Sequence, residues 1–354
     1  MDVREFAFDL PPELIAQEPP AVRGSSRLLH LNRRTGVRTH ATVEQLPNYL
    51  DAGDVVVLNN TKVFPARLLG RRDPSGGAVE CLLVKRLSAA EASEEVWEAL
   101  MHPGQKLAPG ARVVFESDGP ERLYGEVLAR HFHGRRSIRL WTTTDASVRD
   151  AVDAIGHVPL PPYIRRLDRD EDRNRYQTVF ARERGSIAAP TAGLHLTPEI
   201  LEHVRARGVQ VVELTLHVGY GTFQPVRVEH VEDHRLESEQ YELPQPAVAA
   251  IESARANGKR VVAVGTTTTR TLEAVAHANG GRLVAGTGTT DLFVYPGFEF
   301  RVVGGLLTNF HLPASSLIML VAAFAGRDAV MAAYADAIAH GYRFYSYGDA
   351  MLIT

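Results

Sequence analysis

Three histidines in the second half of this 354-residue chain lie among small and hydroxyl-bearing residues. His195 ends the segment 188–195, and His217 precedes a glycine-rich segment. His311 precedes an apolar run. Because imidazole titrates near neutral pH, each histidine is a candidate for proton transfer in catalysis. Taken one at a time, each pattern favours a structural role, such as a tight turn or a hydrogen-bonded core histidine.

The segment 209–218 alternates between apolar and polar residues, which predicts a strand with two different faces. Its apolar side chains belong to the core. Glu213, Thr215 and His217 share the other face, and they must find polar partners or line a cavity, because unpaired buried polar groups cost free energy. Two glycines then allow a sharp turn or close approach to a ligand, in the sequence Gly219-Tyr220-Gly221-Thr222-Phe223.

A strand-to-helix junction is predicted at 261–270. An apolar run ends at Gly265, and four threonines, beginning with Thr266 and Thr267, precede Arg270 in a predicted helix. A helix N-terminus offers free N–H groups and partial positive charge, which suit a carboxylate or a phosphate. No lysine follows as in a Walker A loop, and the glycine spacing differs from that of dinucleotide-binding folds. Capping of the helix by threonine explains the pattern equally well.

Two further segments combine polar and aromatic side chains. In 308–313, Asn309 and His311 stand directly before an apolar helix, which suits either a site at the start of that helix or a cap with a core histidine. In 342–351, aromatic residues flank Arg343, and such a group can stack on a nucleobase. The alternative is a final core strand, which we accept for the phenylalanine and some of the tyrosines.

The elements that must position these residues differ along the chain. Between residues 67 and 144, short strand-like runs alternate with turns rich in glycine and proline, which predicts a small barrel or sandwich. These strands are predicted at 78–84, 96–101, 112–115, 123–128 and 137–141.

From about residue 156 onward, strands alternate with helices, which is typical of an α/β layer, and the apolar strand 55–58 fits the same layer. Strands are predicted at 209–218 and 260–264, and helices at 198–208, 246–257, 270–278, 315–325 and 329–339. The predicted fold class is therefore α/β. A mixed, layered α/β domain is formed by residues 1–60 and 156–354, and an all-β, barrel-like domain of residues 61–155 is inserted into it.

The composition excludes several classes of protein. Hydrophobic residues make up 45% and charged residues 23%, as in globular proteins. The single cysteine, Cys81, cannot form an internal disulfide, and a cysteine-only zinc site or an iron–sulfur cluster needs several thiolates. The N-terminus lacks a signal-peptide pattern, and the apolar run 317–325 is shorter than the roughly 20 residues of a membrane span. We therefore expect a cytoplasmic protein with no membrane contact, no cysteine-only zinc site and no iron–sulfur cluster. For its reaction we expect no metal and no prosthetic group.

The net charge of −3 does not indicate a nucleic-acid-binding surface over the whole chain. Locally, the segment 130–139 has no acidic residue and four arginines, which are Arg130, Arg135, Arg136 and Arg139. A strand pair that contacts phosphates and an ordinary solvated face are equally compatible with this segment. A second arginine cluster, at 165–175, is interleaved with acidic residues, and there we prefer a solvated face.

Taken together and in order, motifs along nearly the whole chain resemble one family, the S-adenosylmethionine:tRNA ribosyltransferase-isomerases of queuosine biosynthesis. The first motifs are FDLP (8–11), ELIAQ (13–17), SRLL (26–29), LNNT (58–61) and PAR (65–67). The next are PPYI (161–164), YQTV (176–179), APTAGLH (189–195), TLHV (215–218) and GTF (221–223). The last are VGTT (264–267), TNFHLP (308–313) and SYGDAM (346–351).

Two positions depart from the family's pattern. Asn60 stands where the family usually has aspartate, so a carboxylate role there is in doubt. Leu236 and Glu237 precede Ser238 where the family usually has Met-His, which excludes a catalytic histidine at position 237.

The resemblance implies a defined reaction. The family transfers and isomerises the ribosyl moiety of S-adenosylmethionine onto the aminomethyl group of 7-aminomethyl-7-deazaguanine at the tRNA wobble position. The products are epoxyqueuosine-tRNA, adenine and methionine. S-adenosylmethionine is thus a consumed substrate, and the expected partners are this substrate and tRNA. We expect the enzyme to be a monomer.

This reaction needs a base that removes a proton beside the sulfonium, giving an ylide, and an acid that helps adenine leave. We expect His217 and His311, with His195, to share these proton transfers, and Glu239 is a second candidate base.

The remaining expected roles also follow from the resemblance. The methionine carboxylate is expected at Gly265, Thr266 and Thr267, a site that Arg270 and Glu273 extend. Tyr347 and Asp349 are expected to contact the adenosine. Substrate contacts are also expected from Thr191, Gly193, Gly221, Thr222, Phe223 and Asn309. The anticodon stem-loop is expected on the inserted β domain, at Arg130, Arg135, Arg136 and Arg139.

Two other classes of function compete with this interpretation. A methyltransferase would show a glycine-rich loop after its first strand and an acidic residue at the end of its second, and neither is present. A non-catalytic RNA-binding module would not need so many small-residue loops with histidine and threonine, and it would be more basic.

Overall fold

The structure is a computed structural model that describes residues 1–116, 122–223 and 225–354, without the side chains of Ala90, Glu116, His133, Thr222 and Phe223. The predicted substrate contacts of Thr222 and Phe223 therefore lie outside the described residues. The chain divides into two compact units. The first unit consists of Met1–Lys62, Pro162–Arg166 and Arg175–Thr354, and the second of Val63–Pro161 and Leu167–Asn174.

The strands are β1 (Arg27–Leu31), β2 (Arg38–Thr42), β3 (Val55–Asn59), β4 (Thr61–Val63), β5 (Arg67–Asp73), β6 (Ala78–Glu91), β7 (Glu94–His102), β8 (Arg112–Glu116), β9 (Arg122–Arg130), β10 (Arg135–Trp141), β11 (Glu183–Ser186), β12 (Gln210–Leu216), β13 (Glu239–Leu243), β14 (Val261–Val264), β15 (Gly286–Thr290), β16 (Gly305–Asn309) and β17 (Ala350–Ile353). The helices are α1 (Val148–Ile155), α2 (Asp172–Arg175), α3 (Pro198–Ala206), α4 (Gln245–Ala256), α5 (Thr266–Ala278), α6 (Ser316–Ala325) and α7 (Arg327–Ala339).

A mixed sheet forms the centre of the first unit. Its described strands follow the order β15-β13-β12-β3-β14-β16-β17-β1-β2. β3 pairs in parallel with β12 and β14, and β14 pairs in parallel with β16, whereas β17 is antiparallel to β16. The carboxyl ends of β12, β3, β14 and β16 therefore meet at one edge of the sheet.

Both faces of this sheet are covered, which explains why its central strands are continuously apolar. Val55 and Val57 of β3 pack into one core cluster, to which α4, α5, α6 and α7 contribute. Val56 and Leu58 point the other way, into a second cluster that contains Ile200 of α3. The Thr197 hydroxyl caps α3 by accepting a hydrogen bond from the Ile200 N–H at 3.2 Å.

The second unit contains a closed antiparallel barrel with the strand order β10-β7-β6-β5-β8-β9. Buried and partly exposed residues alternate along β7 and β10, so one side of each strand fills the interior. Trp97, Ala99 and Met101 of β7 and Ile138 and Leu140 of β10 are among these interior residues.

The predicted fold class is confirmed, because a mixed α/β sheet and a closed β-barrel are both present. The unit boundaries lie at Lys62 and Pro161, where the sequence placed domain boundaries at residues 60 and 156. That these units are independent domains remains a prediction. Most predicted helices and strands agree with the observed ones to within one to three residues at each end.

Three predicted elements are corrected by the structure. β6 extends to Glu91, seven residues beyond its predicted end at residue 84. α5 begins at Thr266 and not at Arg270, because the Thr268 and Thr269 hydroxyls donate back to the Val264 and Gly265 carbonyls at 2.8 and 3.2 Å and lie within the helix. The final strand begins only at Ala350, so the prediction of a strand from residue 342 is wrong. The segment 342–349 is buried but irregular.

No single helix among the described residues is long and apolar enough to cross a membrane. The pair α6 and α7 meets the criteria of length and composition only when taken together, and it is bent by 116° at the break.

Candidate active site

A cleft lies at the edge where the parallel strands of the first unit end. Val218 follows β12, Gly265 follows β14 and His311 follows β16, and all three line the cleft, which has a volume of about 580 Å³ including its open mouth. Ligands of α/β proteins bind in the crevice outside the carboxyl ends of such strands. The other lining residues are Tyr163, Tyr176, Ala188, Ala189, Pro190, Thr191, Ala192, Thr266, Thr267, Thr308, Asn309, Leu317, Tyr345 and Ser346.

The first turn of α5 is fixed at the cleft by backbone geometry and by Asn59. Gly265 has φ +90°, a conformation that residues with a side chain rarely adopt, and it lets the chain pass from β14 directly into α5. The Asn59 amide donates to the Thr267 hydroxyl at 3.2 Å and to the Leu216 carbonyl at 3.0 Å. Asn59 thereby ties the end of β3 to both β12 and α5, and it sets the position of Thr267 in the cleft wall.

His311 is the member of the predicted histidine trio that lines this cleft. Its Nε2 lies 2.9 Å from the Thr308 hydroxyl, and its backbone N–H donates to the Tyr334 hydroxyl at 3.0 Å. Burial lowers the pKa of His311 to about 3, because the cationic form would lose its hydration. The imidazole is therefore neutral at neutral pH.

His195 lies behind the cleft and not in its wall. The Asn309 amide donates to His195 Nε2 at 3.1 Å and to the Tyr345 carbonyl at 3.0 Å, so the His195 ring proton resides on Nδ1. Burial lowers the pKa of His195 to about 4. Together with Tyr347, His195 lines a neighbouring pocket, which shares Ser346 with the cleft.

His217 is not among the residues that line the cleft. Its Nδ1 lies 2.8 Å from the Thr61 hydroxyl, and its ring packs so closely on Gly185 that a Cβ there would lie 2.6 Å away. Burial lowers the pKa of His217, and the nearby carboxylates of Glu183 and Glu242 oppose that shift. His217 thus occupies a tight, polar niche beside the ends of β3 and β12.

Three tyrosines form an aromatic wall. Tyr345 belongs to the segment 342–351 that was expected to stack on a nucleobase, whereas no site role was assigned to Tyr163 or Tyr176. The rings of Tyr163 and Tyr345 meet edge to face with centroids 3.8 Å apart, and Tyr176 lines the same cleft. Burial raises the pKa of Tyr345 to about 12 and raises those of Tyr163 and Tyr176, so all three phenols are neutral. Tyr345 adopts a positive φ of 76°. Tyr163 and Tyr176 were present in the motifs that carry the family resemblance, but no periodicity indicated that they face a ligand.

Arg270 and Glu239 lie in a second pocket that adjoins the cleft. Both are buried, and the Arg270 Nη1 donates to Glu239, whose other oxygen accepts the Gly219 N–H at 2.8 Å. Leu317 lines both the cleft and this pocket. The second pocket is lined by Gly221, Leu236, Glu237, Glu239, Arg270, Phe293, Val294, Ser316, Leu317 and Leu320.

Other predicted site residues have structural partners and do not line the cleft. The Glu273 carboxylate accepts the N–H groups of residues 301–303 at 2.8 to 3.0 Å. Asp349 accepts the Arg27 and Arg343 N–H groups at 2.9 and 2.8 Å. Gly193 packs beneath Phe180, where a Cβ would lie 2.7 Å from the ring.

The four arginines of segment 130–139 all lie in the barrel unit, but their surroundings differ. Arg136 is buried, and it donates to the Leu107 and Gly104 carbonyls at 3.1 and 2.7 Å. Arg135 pairs with Glu98, and Arg139 pairs with Glu126 at 2.8 Å. Arg130 is exposed and also donates to carbonyls of the 104–107 loop.

One group of described residues has the spacing of metal ligands. His40, Asp336 and His340 place one ligand atom each within 4.8 Å of the others. The Arg38 guanidinium lies 3.2 Å from the Asp336 carboxylate and already supplies a cation there. None of these residues lines the cleft.

A cleft at the carboxyl ends of parallel strands, lined by imidazole, amide and hydroxyl groups, is typical of α/β enzymes. The sequence model of the queuosine biosynthesis protein family matches residues 3–353. The chain therefore belongs to the queuosine biosynthesis protein family, which confirms the resemblance found in its motifs.

Similar proteins agree with this family over their whole length. A protein from Desulfitobacterium hafniense is 48% identical over 353 residues, with 100% of each chain covered. One from Caldanaerobacter subterraneus subsp. tengcongensis is 50% identical, with 99% of this chain and 98% of the relative covered. Both are named S-adenosylmethionine:tRNA ribosyltransferase-isomerase. A crystal structure of S-adenosylmethionine tRNA ribosyltransferase from Thermotoga maritima is 39% identical, with 99% and 100% coverage and a TM-score of 0.55.

Proposed function

We propose that this chain transfers and isomerises the ribosyl moiety of S-adenosylmethionine onto the aminomethyl group of 7-aminomethyl-7-deazaguanine at the tRNA wobble position. The products are epoxyqueuosine-tRNA, adenine and methionine. One observation carries the proposal. Motifs that are far apart in the sequence and that carry the family resemblance, at 189–195, 264–267 and 308–313, converge on one cleft.

The cleft suits the adenosyl part of this substrate. Its described lining contains no carboxylate, lysine or arginine, so binding there depends on shape, stacking and neutral hydrogen bonds. Alanines at 188, 189 and 192 allow a flat ring to approach the backbone, and Tyr163, Tyr176 and Tyr345 offer aromatic surface. The hydroxyls of Thr191, Thr266 and Thr267 can bond to ribose.

We propose that His311, which lines the cleft, moves the proton that the reaction must transfer. The positive sulfur acidifies the adjacent ribose C–H group, and a neutral imidazole can accept that proton. The resulting imidazolium has a low pKa and is therefore a strong acid, which suits it to protonate adenine as adenine leaves. The proton removed from carbon is thus returned to the leaving base. We propose that His195 and His217, which lie outside the cleft lining, hold the walls of the cleft in position. We also propose that Glu239, the second candidate base, has its role in the second pocket.

The proposed reaction is tested with tRNA that carries the aminomethyl base. Mass spectrometry of the tRNA should show addition of the ribosyl-derived group, with release of adenine in equal amount. Addition of a methyl group would instead support a methyltransferase. Unchanged tRNA that is nevertheless bound would support an RNA-binding module.

Replacing His311 with glutamine should separate chemistry from binding. We expect His311→Gln to reduce turnover about 100- to 10,000-fold, the usual contribution of a general acid–base group, with little change in the KM for S-adenosylmethionine. His277→Gln is the matched control, because His277 is a partly exposed histidine whose Nε2 lies 2.9 Å from the Glu299 carbonyl oxygen, outside the cleft. Turnover of His311→Gln within threefold of the control would contradict the assignment.

The remaining expectations about partners are also proposals. Within the barrel unit, we propose that tRNA phosphates contact the arginine-containing hairpin of β9 and β10, chiefly through the exposed Arg130. We further propose a cytoplasmic monomer that uses neither a metal nor a prosthetic group.

A further inference from the structure

We propose that the second pocket binds the α-amino-carboxylate end of S-adenosylmethionine, with the carboxylate on Arg270. This inference rests on the proposed function, and it moves the carboxylate from the first turn of α5 to a side chain one turn further along that helix.

The Arg270 guanidinium lies in the pocket, and two of its three nitrogens donate hydrogen bonds to the described residues. Its Nε donates to the Leu292 carbonyl at 2.8 Å, and its Nη1 donates to Glu239. Its Nη2 is buried and has no hydrogen-bond partner among the described residues. A buried, cationic donor without an acceptor is costly, and a carboxylate oxygen is the acceptor that a guanidinium binds most strongly.

The charges of the pocket match this end of the substrate. Glu237 and Glu239 carry two negative charges and Arg270 carries one positive charge. S-adenosylmethionine carries a sulfonium, an ammonium and a carboxylate, and therefore one net positive charge. Glu237 lines the same pocket as Arg270, so the ammonium and the carboxylate each meet a group of opposite charge.

The shape of the pocket also fits. Leu236, Phe293, Leu317 and Leu320 give apolar walls against which the two methylene groups between the sulfur and the α-carbon can pack. Leu317 also lines the cleft, so the two spaces adjoin. The proposal places the adenosyl part of the ligand in the cleft and its methionine part in the pocket. In this arrangement the uncharged cleft holds the adenosyl part of the substrate, and the charged pocket holds its amino-carboxylate end.

The test compares S-adenosylmethionine with its decarboxylated analogue, by calorimetric titration of the full chain without tRNA. The wild-type protein should bind S-adenosylmethionine about 10- to 100-fold more tightly, as expected for one charged hydrogen bond. In Arg270→Lys, which retains a cation opposite Glu239, this ratio should fall to within threefold of unity. Arg255→Lys is the control, since Arg255 pairs with Glu252 outside both pockets, and it should retain the wild-type ratio.

A second variant distinguishes the two charged contacts. Glu237→Gln should weaken both ligands by a similar factor, because both retain the amine. An unchanged ligand ratio in a folded Arg270→Lys protein would overturn the inference. A rise in the KM for tRNA alone in Arg270→Lys would also overturn the inference, because it would assign the pocket to the aminomethyl base. A wild-type protein that binds neither ligand would overturn the proposed function as well, whereas active enzyme with an unchanged ratio would overturn only the inference.

Discussion

His195 and His311 are buried imidazoles that the fold keeps neutral. His311 has the Thr308 hydroxyl at Nε2, and His195 has the Asn309 amide at Nε2. Neither has a carboxylate within hydrogen-bond distance among its recorded contacts, so desolvation determines the direction of both pKa shifts. The residues that suited acid–base chemistry by type are therefore weak bases, and their conjugate acids are strong. Such a histidine is better suited to donate a proton to a leaving group than to retain a proton at neutral pH.

The same burial predicts a loss of stability in mild acid. The pKa of each histidine is lower in the folded than in the unfolded chain, so the unfolded state binds more protons below about pH 6.5, and stability falls as the pH decreases. At pH 5 the burial of each histidine should lower the free energy of unfolding by about 2 kcal/mol.

This prediction is checked by urea unfolding, followed by far-ultraviolet circular dichroism, at pH 7 and pH 5. The drop in unfolding free energy between these pH values should be about 2 kcal/mol smaller in His311→Gln than in the wild type. The control variant His277→Gln, at a partly exposed position, should show the wild-type drop. Equal drops in all three proteins would show that His311 is not held neutral by the fold.

At the scale of elements, the site depends on where parallel strands end. β3, β12, β14 and β16 end at one edge, and a polar side chain or a sharp turn lies within two residues of each strand end. Gly265 is the tightest of these junctions, because a positive φ joins β14 to α5 without an intervening loop. The short connection keeps Thr266 and Thr267 in the wall of the cleft.

Gly265→Ala should therefore strain this junction. A Cβ at Gly265 would meet only ordinary contacts, 3.7 Å from Ala192 and Thr267, so the expected cost of about 1 to 3 kcal/mol comes from φ alone. Gly304→Ala is the control, since its Cβ would also have ordinary contacts and its φ is not positive. Thermal unfolding measures both, and equal melting temperatures would contradict the strain at Gly265.

At the scale of the whole molecule, the arginines of the segment 130–139 differ in burial within the barrel unit. Arg136 is buried and bonds to the carbonyls of the 104–107 loop, so it supports the barrel. Arg130 reaches the same loop from an exposed position. Four arginines that were equivalent in the sequence are therefore not equivalent candidates for binding tRNA.

Two substitutions should separate support of the barrel from tRNA binding. Arg130→Gln should weaken tRNA binding and reduce the slope of log affinity against log salt by about 1, with barrel stability nearly unchanged. Arg136→Gln should instead destabilise the barrel by about 1 to 3 kcal/mol, because buried carbonyls lose a charged donor. Both tryptophans, Trp97 and Trp141, lie in the barrel unit, so their fluorescence reports its unfolding. An unchanged salt slope in Arg130→Gln would remove Arg130 from the tRNA-binding surface.

Much of the fold was predictable because local chemistry and periodicity specify it. Thr197 and Pro198 begin α3 by hydroxyl capping and a fixed φ, and the apolar run of β3 indicates a strand buried on both faces. The threonines of α5 were misassigned, since their hydroxyls bond to the helix's own carbonyls, and no local pattern reveals this choice.

The sequence by itself determined the α/β class, the inserted run of β strands, the family and several segments of the cleft, because capping, alternation and motifs are local properties of the chain. Only the tertiary structure decided which histidine faces the cleft, that Arg136 is buried, and that Arg270 joins Glu239 in a second pocket. The physical reason is that burial and hydrogen-bond partners depend on contacts between residues distant in sequence. His311 and His217 are similar in type and setting along the chain, and only their neighbours in space distinguish them.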